Sequence, residues 1–377
     1  MKNRRAELTI DLANLRHNIS LLTDIANESN AETMVVVKSD AYGHGLTAVA
    51  RAACAAGVSW LGTCDIASAL TLRRKGIGAR LFSWLDEPGA DYAEAIAREV
   101  DLSVSSVEEL QRVAWAAVDA GRTASVHLKI DTGMWRNGCP PHEWETLVRR
   151  ASGCPSIRVH SIWSHLACAD DPQNPATDIQ AQRFSDAYGV ARSFGLEPKR
   201  HLANSAATLT RPDLHFDMVR TGIAVYGLNP VVTSHDLRPV MTFRSSVVLT
   251  KRIPGGESVS YGHTWTASRD STLALVPVGY ADGIPRSLSG KLRVLLNGKT
   301  RPVIGRISMD QIVVDCQDDD TAVGDEVVLF GGGANGEPTA REWATNIGTI
   351  DYEIVTGMYR PRVKRCYQAA APSSVDR

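Results

Sequence analysis

From about residue 33 to 225 the chain alternates eight short apolar runs with helix-like stretches, and this repetition restricts the fold more than any other feature of the sequence. The runs are MVVV (34–37), SWLGT (59–63), ARLFSW (79–84), DLSV (101–104), ASVHLKI (124–130), IRVHSIWSH (157–165), RHLAN (200–204) and MVRTGIAVYG (218–227). Between them lie amphipathic segments such as 107–120, where Leu110, Val113, Ala114, Ala117 and Val118 recur at helical spacing. Such alternation implies parallel strands joined by helical crossovers, and eight units permit closure into an α/β fold of the (β/α)8 TIM-type barrel class. An open doubly wound sheet is the second topology compatible with the pattern.

After Tyr226 the texture changes. A Pro- and Ser-containing stretch (229–239) reads as a linker, and from Met241 the runs VVLTKRI, STLALVPVGY, KLRVLLNG, RPVIGRI, IVVD and DEVVLFGGG are split by turn signals such as Ala281-Asp282-Gly283, Asn297-Gly298 and Asn335-Gly336. The expected organisation is a barrel domain over 1–240 and a mainly-β domain over 241–377. The 377 residues carry 41 Lys+Arg against 42 Asp+Glu, which leaves no basic surplus for nucleic acid or an anionic membrane. Seven scattered cysteines, odd in number and without a CxxC pair, fit a reducing compartment. The start is basic like the first part of a signal peptide, but Glu7 and Asp11 arrive before an apolar segment forms, and no run approaches 18 apolar residues. A cytoplasmic protein is expected.

Polar side chains collect at the carboxyl ends of the expected barrel strands, the rim where barrel enzymes build their active sites. Lys38 follows the first strand, and Lys129, Asp131 and Arg136 follow the fifth. His165 ends the sixth, His201, Asn204 and Ser205 lie at the seventh, and Arg220 lies in the eighth. A lysine directly after a buried run can be neutralised by desolvation and then attack a carbonyl; equally, it can snorkel out of the barrel mouth. Arg220-Thr221-Gly222-Ile223 and Ser205 supply small residues, N–H groups and a hydroxyl after strands seven and eight, the customary phosphate region of such barrels. Gly222 also has a plain packing reading. The more conspicuous glycine run 331–336 lacks a Walker lysine and reads as a turn.

These residues carry a resemblance to the alanine racemase family, pyridoxal-phosphate (PLP) enzymes of fold type III. VVKSDAYGHG (36–45) is similar to the family's cofactor-lysine signature and KIDTGMWRNG (129–138) to its second barrel motif. SHLACAD (164–170), HLANSAATL (201–209), MVRTGIAVYGL (218–228), VSYGHTWTA (259–267), GYADGIPR (279–286), GRISMDQ (305–311) and DYEIVT (351–356) follow in the family's order, so the likeness spans essentially the whole chain.

The resemblance implies interconversion of L- and D-alanine, feeding peptidoglycan synthesis, with pyridoxal 5'-phosphate bound to Lys38. Lys38 is then the base on one face of the substrate and Tyr261 the base on the other, since a single group returning a proton to the same side restores the starting enantiomer. A free phenol titrates near ~10, so the second base needs cationic or hydrogen-bonding neighbours, which by resemblance include His165 and Arg220. Taken without its motif, Tyr261 reads as a half-buried strand aromatic. Arg220 matches the residue facing the cofactor's pyridine nitrogen, with His201 behind it and His165 against the ring. Tyr42, Ser205, Gly222, Ile223 and Tyr352 match phosphate-contacting positions, and Asn204 joins this cofactor-binding set. Arg136 matches the residue at the cofactor's phenolic oxygen and near the substrate, Met309 a backbone contact to the substrate carboxylate, with Asp310 beside it. Lys129 matches a lysine often carbamylated in the family; unmodified, it pairs with a nearby acid. Tyr280 and Ile350 match positions at the mouth of the site. The family's second base comes from the other subunit, so a homodimer is implied, and no metal. Two departures stand out: Trp135 where glycine is common, and the tail Gly357-Met358-Tyr359-Arg360-Pro361-Arg362.

Competing readings are a metal-dependent barrel hydrolase using Lys129, His165 and His201, which lacks an HxH pair on the first strand; a PLP-binding protein without catalysis, which has no use for Tyr261; a fold type III decarboxylase, which calls for an acid in place of Arg220; and a racemase of broader range, often exported.

Overall fold

In the computed structural model residues 5–368 are described; 1–4, from the basic start considered above, and 369–377 lie outside them. Each of the eight runs contains one strand of a single parallel sheet: Glu32–Val36, Trp60–Thr63, Arg80–Ser83, Val100–Val104, Ala124–Lys129, Ile157–Trp163, Lys199–His201 and Met218–Thr221. The first strand pairs in parallel with both the second and the eighth. The ring closes between the seventh and eighth, where Asp217 N–H donates to Arg200 O (3.1 Å) and Arg220 N–H to Ala203 O (2.9 Å). This is the (β/α)8 barrel; the open sheet is excluded by that closure.

The crossover helices form where caps and apolar spacing agree. Helix Val107–Asp119 starts at Ser106, whose Oγ accepts Glu109 N–H (3.1 Å), while the Glu109 carboxylate accepts Ser105 N–H (2.6 Å). Leu110, Val113, Ala114 and Ala117 are buried, but Val118 is exposed. At about 100° per residue Val118 lies about 80° around the helix from Leu110, past the edge of the packed stripe.

Strand alternation sends every second side chain inward. Met34, Trp60, Phe82, Trp163 and Met218 meet there in one buried cluster, with Trp84 packed against it. Gly62 is required at this point: a Cβ would approach the Trp84 ring to 2.7 Å and Met34 Sδ to 3.0 Å.

The second compact unit comprises the described residues among 1–14, 42–45 and 238–377. Its nine-stranded sheet runs in the order Leu249–Ile253, Ser271–Val276, Ile312–Gln317, Lys299–Ile304, Arg293–Leu296, Glu326–Phe330, Met241–Ser246, Glu7–Asp11, Lys364–Gln368. All neighbours are antiparallel except the last pair. Asn297 (φ 51°) and Gly298 (φ 71°) form the two-residue turn between Arg293–Leu296 and Lys299–Ile304, the left-handed geometry for which Asn-Gly is favoured. The six expected β runs each hold a strand. Glu7–Asp11, Met241–Ser246, Lys364–Gln368 and the helices Ala340–Ile347 and Asp351–Gly357 were not among the expected elements. A single cut at 240/241 therefore differs from the compact units at the amino terminus, because Glu7–Asp11 is hydrogen-bonded between Met241–Ser246 and Lys364–Gln368.

Candidate active site

The backbone turns left-handed where the first barrel strand gives out. Ser39, Asp40 and Ala41 have φ/ψ of 53/52°, 55/44° and 55/53°, and Tyr42 has φ 53°. Left-handed helical geometry costs an L-residue roughly 1–2 kcal/mol, so four in succession must be held by their surroundings. Ala41 N–H donates to Val37 O (2.9 Å), Asp40 Oδ1 accepts Leu46 N–H at the start of helix Leu46–Ala55 (2.8 Å), and Ala41 is fully buried. Lys38 opens this turn. Burial lowers its pKa, the Cys64 sulfur opposes that shift, and Arg136 adds to it.

Lys129 ends the fifth strand with its ammonium 4.3 Å from the Trp163 ring centroid. Burial, then Arg220 and Arg136, lower its pKa to about 8, opposed by Asp131 and Glu109. Arg220 is buried, 4.9 Å above the same indole. Its Nη1 donates to His201 O (2.7 Å) and His201 Nδ1 (3.2 Å), and its Nη2 to Ser164 O (2.8 Å), Leu202 O (3.2 Å) and His165 Nδ1 (3.3 Å). Burial pulls its pKa down, but five acceptors and no facing donor keep the guanidinium charged. Its Nε–H makes no hydrogen bond among the described residues. His165 is held well below the usual imidazole pKa by burial and then by Arg220, Arg136, Lys129 and Lys38. Four basic side chains thus act on one neutral imidazole, and a site of this sign suits an anion.

Next to it, Ser205 Oγ accepts Gly222 N–H (2.8 Å) and Ala224 N–H (3.4 Å), which leaves its hydroxyl proton to donate. Asn204 caps helix Ser205–Thr210 by accepting Ala207 N–H (3.1 Å), so its oxygen already has local work. The glycine run 331–336 is indeed a turn. Glu337 accepts Gly333 N–H and Asn335 N–H (both 2.9 Å) and so fills with its own carboxylate the cradle an anion would need.

In the second unit the Tyr42 and Tyr352 rings lie 6.3 Å apart and tilted by 53°. Tyr261 opens the 3-10 turn Tyr261–His263 and is 71% exposed, so it is not a half-buried strand aromatic. Ser260 and Gly262 on either side have φ 66° and 73°, and at Gly262 a Cβ would press on the Arg306 guanidinium. Tyr280 opens the turn Tyr280–Asp282, and its N–H donates to Ser308 O (3.1 Å) while Ala281 N–H donates to Met309 O (3.0 Å). Met309 is exposed, and Asp310 accepts from Arg362 Nη1 (2.6 Å) and Arg5 Nη2 (3.1 Å), which hold its carboxyl below the usual range. Ile350 is exposed at the start of helix Asp351–Gly357.

The models for the N-terminal and C-terminal domains of alanine racemase match residues 10–230 and 240–367. An alanine racemase of Salinispora arenicola is 50% identical over 373 residues, covering 98% of this chain and all of that protein. The chain belongs to the alanine racemase family. As a member it is an isomerase, and alanine racemisation is its reaction. Among solved structures, the alanine racemase of D-cycloserine-producing Streptomyces lavendulae matches with TM-score 0.94 and 46% identity over 98% of this chain and 99% of that one. That of Streptomyces coelicolor A3(2) matches with TM-score 0.93 and 49% identity over 96% and 98%.

Within this alanine racemase fold, Trp135 has φ 52° and is 73% exposed. The position is left-handed, which is the conformation a glycine adopts freely and an indole does not. The unusual tail has a structural use, since its Arg362 is one of the two cations on Asp310. The sequence reading missed Asp101, His127 and Arg80 beneath His201. His127 Nδ1 meets His201 Nε2 (2.9 Å), His127 Nε2 meets Asp101 Oδ2 (3.2 Å), and Asp101 accepts from Arg80 Nη2 (2.8 Å) and Ser125 Oγ (2.7 Å). The available signal was parity: His127 stands two residues before Lys129 in one strand and so faces inward with it. Asp101, His127 and His160 approach as metal ligands would, but Arg80 donates to both Asp101 and His160 (2.9 Å) and already supplies the positive charge. Both nitrogens of His201 are engaged by Arg220 and His127, which disfavours the hydrolase reading.

Proposed function

We propose that the chain racemises alanine with pyridoxal 5'-phosphate held covalently on Lys38, using Lys38 and the partner's Tyr261 as opposed bases in a homodimer. One observation carries this reading: the convergence of Lys38, Lys129, Arg136 and Arg220 on neutral His165, with the Arg220 Nε–H left without a protein acceptor. That donor set fits a phosphorylated pyridine bearing a phenolic oxygen. Arg220 would face the ring nitrogen, His165 the ring, Arg136 the phenolic oxygen, and Tyr42, Asn204, Ser205, Gly222, Ile223 and Tyr352 the phosphate region. When bound, the cofactor withdraws electrons from the substrate and so acidifies its Cα–H.

Burial disfavours the Lys38 ammonium, so this lysine gives up its proton more readily than a free one, as attack and proton acceptance require. Arg220 donates and cannot readily give up a proton, so the ring nitrogen facing it stays unprotonated and electron withdrawal stays moderate. Tyr261, exposed on its own unit, is free to act on another chain. Arg136 and the backbone of Met309, steadied by Asp310, are assigned to the substrate carboxylate, with Tyr280 at the mouth. Lys129 is assigned as a carbamate: burial and two neighbouring arginines favour its neutral amine, which reacts with carbon dioxide, and the product's negative charge suits Arg136. We assign cofactor binding to the domain 1–240 and the donated base to 241–377. D-alanine for peptidoglycan is the assigned product and the cytoplasm the assigned compartment, in keeping with the absence of disulfides among the described residues. No helix among those residues is long and apolar enough to cross a membrane.

Purified protein reconstituted with pyridoxal phosphate should show the visible absorption of a lysine-bound chromophore and racemise alanine on chiral chromatography. Lys38→Ala should lose the absorption. Tyr261→Ala should keep it but lose exchange of the Cα proton of L-alanine with solvent. Protein that stays colourless with excess cofactor, or a tyrosine variant that racemises normally, overturns the reading.

A further inference from the structure

Barrel interiors are ordinarily filled by branched aliphatic side chains. Here a polar chain runs through the centre, from Arg80 and Asp101 at the amino-terminal ends of the third and fourth strands, through His127 in the fifth, to His201 and Arg220 near the rim. Asp101, His127, His201 and Arg220 are all buried. The two ends of the chain fix its direction. Arg220 can only donate, so His201 Nδ1 accepts at 3.2 Å and His201 Nε2 carries the proton. That proton is given to His127 Nδ1 at 2.9 Å, which places the His127 proton on Nε2, pointing at Asp101 Oδ2 at 3.2 Å. Asp101 closes the chain as an acceptor and is anchored by Arg80 and Ser125. Reversing any link would set an N–H against an Arg220 N–H. The rings are held by packing as well: His127 stacks on Phe82 (4.2 Å, 18°) and His160 (5.0 Å, 16°), and His201 on Trp163 (5.7 Å, 8°).

We propose that Asp101 and His127 are positioning residues for racemisation, locking His201 in its Nε2–H tautomer so that Arg220 stays a charged, correctly aimed donor at the rim. The proposal rests on the reading that Arg220 faces the cofactor nitrogen. It predicts an effect on turnover and little on alanine binding, because neither residue reaches the groups assigned to the substrate carboxylate.

The test uses the full-length protein with nitrogen-15-labelled histidine, read by NMR first without and then with pyridoxal phosphate. In the wild type, His127 and His201 should each show one neutral Nε2–H tautomer across the neutral pH range. His127→Phe keeps the stacking and removes both links, so the Nε2–H that Arg220 imposes on His201 is buried without an acceptor, a cost comparable to that of giving up the 3.2 Å Arg220 contact at Nδ1. His201 should then populate both tautomers, and kcat should fall roughly ten- to a hundredfold with KM for alanine nearly unchanged. Asp101→Asn keeps the shape but is no longer an acceptor-only group, so it should shift the same tautomer signal and lower kcat less; it also decides the matter if His127→Phe does not fold. A His201 that stays in one tautomer in the variants, or a kcat that stays at the wild-type value while the tautomer is released, overturns the proposal. Because the tautomers are read without cofactor, failure of the chain is distinguishable from failure of the cofactor reading, which shows as wild-type protein that binds no pyridoxal phosphate.

Discussion

Lys129 is the residue whose state depends most on conditions. Its folded pKa, about 8 against an ordinary 10.5, means that the folded chain penalises the ammonium. Below about 8 both folded and unfolded chains hold the proton and the penalty is full; between about 8 and 10.5 the folded state releases it first, so stability rises with pH. Lys129→Met in carbon-dioxide-free buffer should therefore raise the urea-unfolding free energy at pH ~7 by roughly 1–3 kcal/mol, an advantage that shrinks as pH climbs through that window. Added bicarbonate should shrink it at neutral pH too, if the carbamate forms; an advantage that ignores both pH and bicarbonate would contradict the assignment. Residues such as Lys38, Lys129, His165, His201 and Arg220 were legible in the sequence because each is a polar group at or near the end of an apolar run. Asp101 and His127 were not: an isolated histidine inside ASVHLKI reads as core, and its partner lies on the neighbouring strand, visible only once register pairs Ser103 with His127.

At the scale of elements, the eight barrel strands were legible from apolar runs, whereas the left-handed turn after Lys38 was not. Nothing from Ser39 to Tyr42 is a glycine, so no residue type announces positive φ there; the conformation is imposed by burial of Ala41 and by Asp40. Asp40 serves both sides, standing in the turn and accepting Leu46 N–H at the next helix. Asp40→Ala removes that bond and should lower the folding free energy by about 1 kcal/mol, as loss of a helix cap does. It should also loosen the presentation of Lys38, read as faster loss of cofactor on dilution. Unchanged stability and unchanged cofactor retention together would show that the turn is held without Asp40. The strands Glu7–Asp11 and Lys364–Gln368 escaped for a different reason, being short and rich in charge, so their only argument for being strands is each other and Met241–Ser246.

For the whole molecule, the proposed sharing of sites between two subunits makes a sharp expectation. Lys38→Ala and Tyr261→Ala proteins should each be inactive as pure dimers, yet after mixed unfolding and refolding every hybrid dimer should regain one intact site, with Lys38 from one chain and Tyr261 from the other. Activity that never returns in hybrids, verified by mass spectrometry of differently tagged chains, would mean that both bases come from one subunit. The placement of Glu7–Asp11 between Met241–Ser246 and Lys364–Gln368 also matters during synthesis. The strand is synthesised about 350 residues before its parallel neighbour, roughly 20–70 s at translation speeds of ~5–20 residues/s. Until Met241–Ser246 is made, the barrel sequence is already available to fold while this segment of the other unit has neither of its sheet neighbours, so residues 241–246 and then 364–368 complete a sheet that residues 7–11 began.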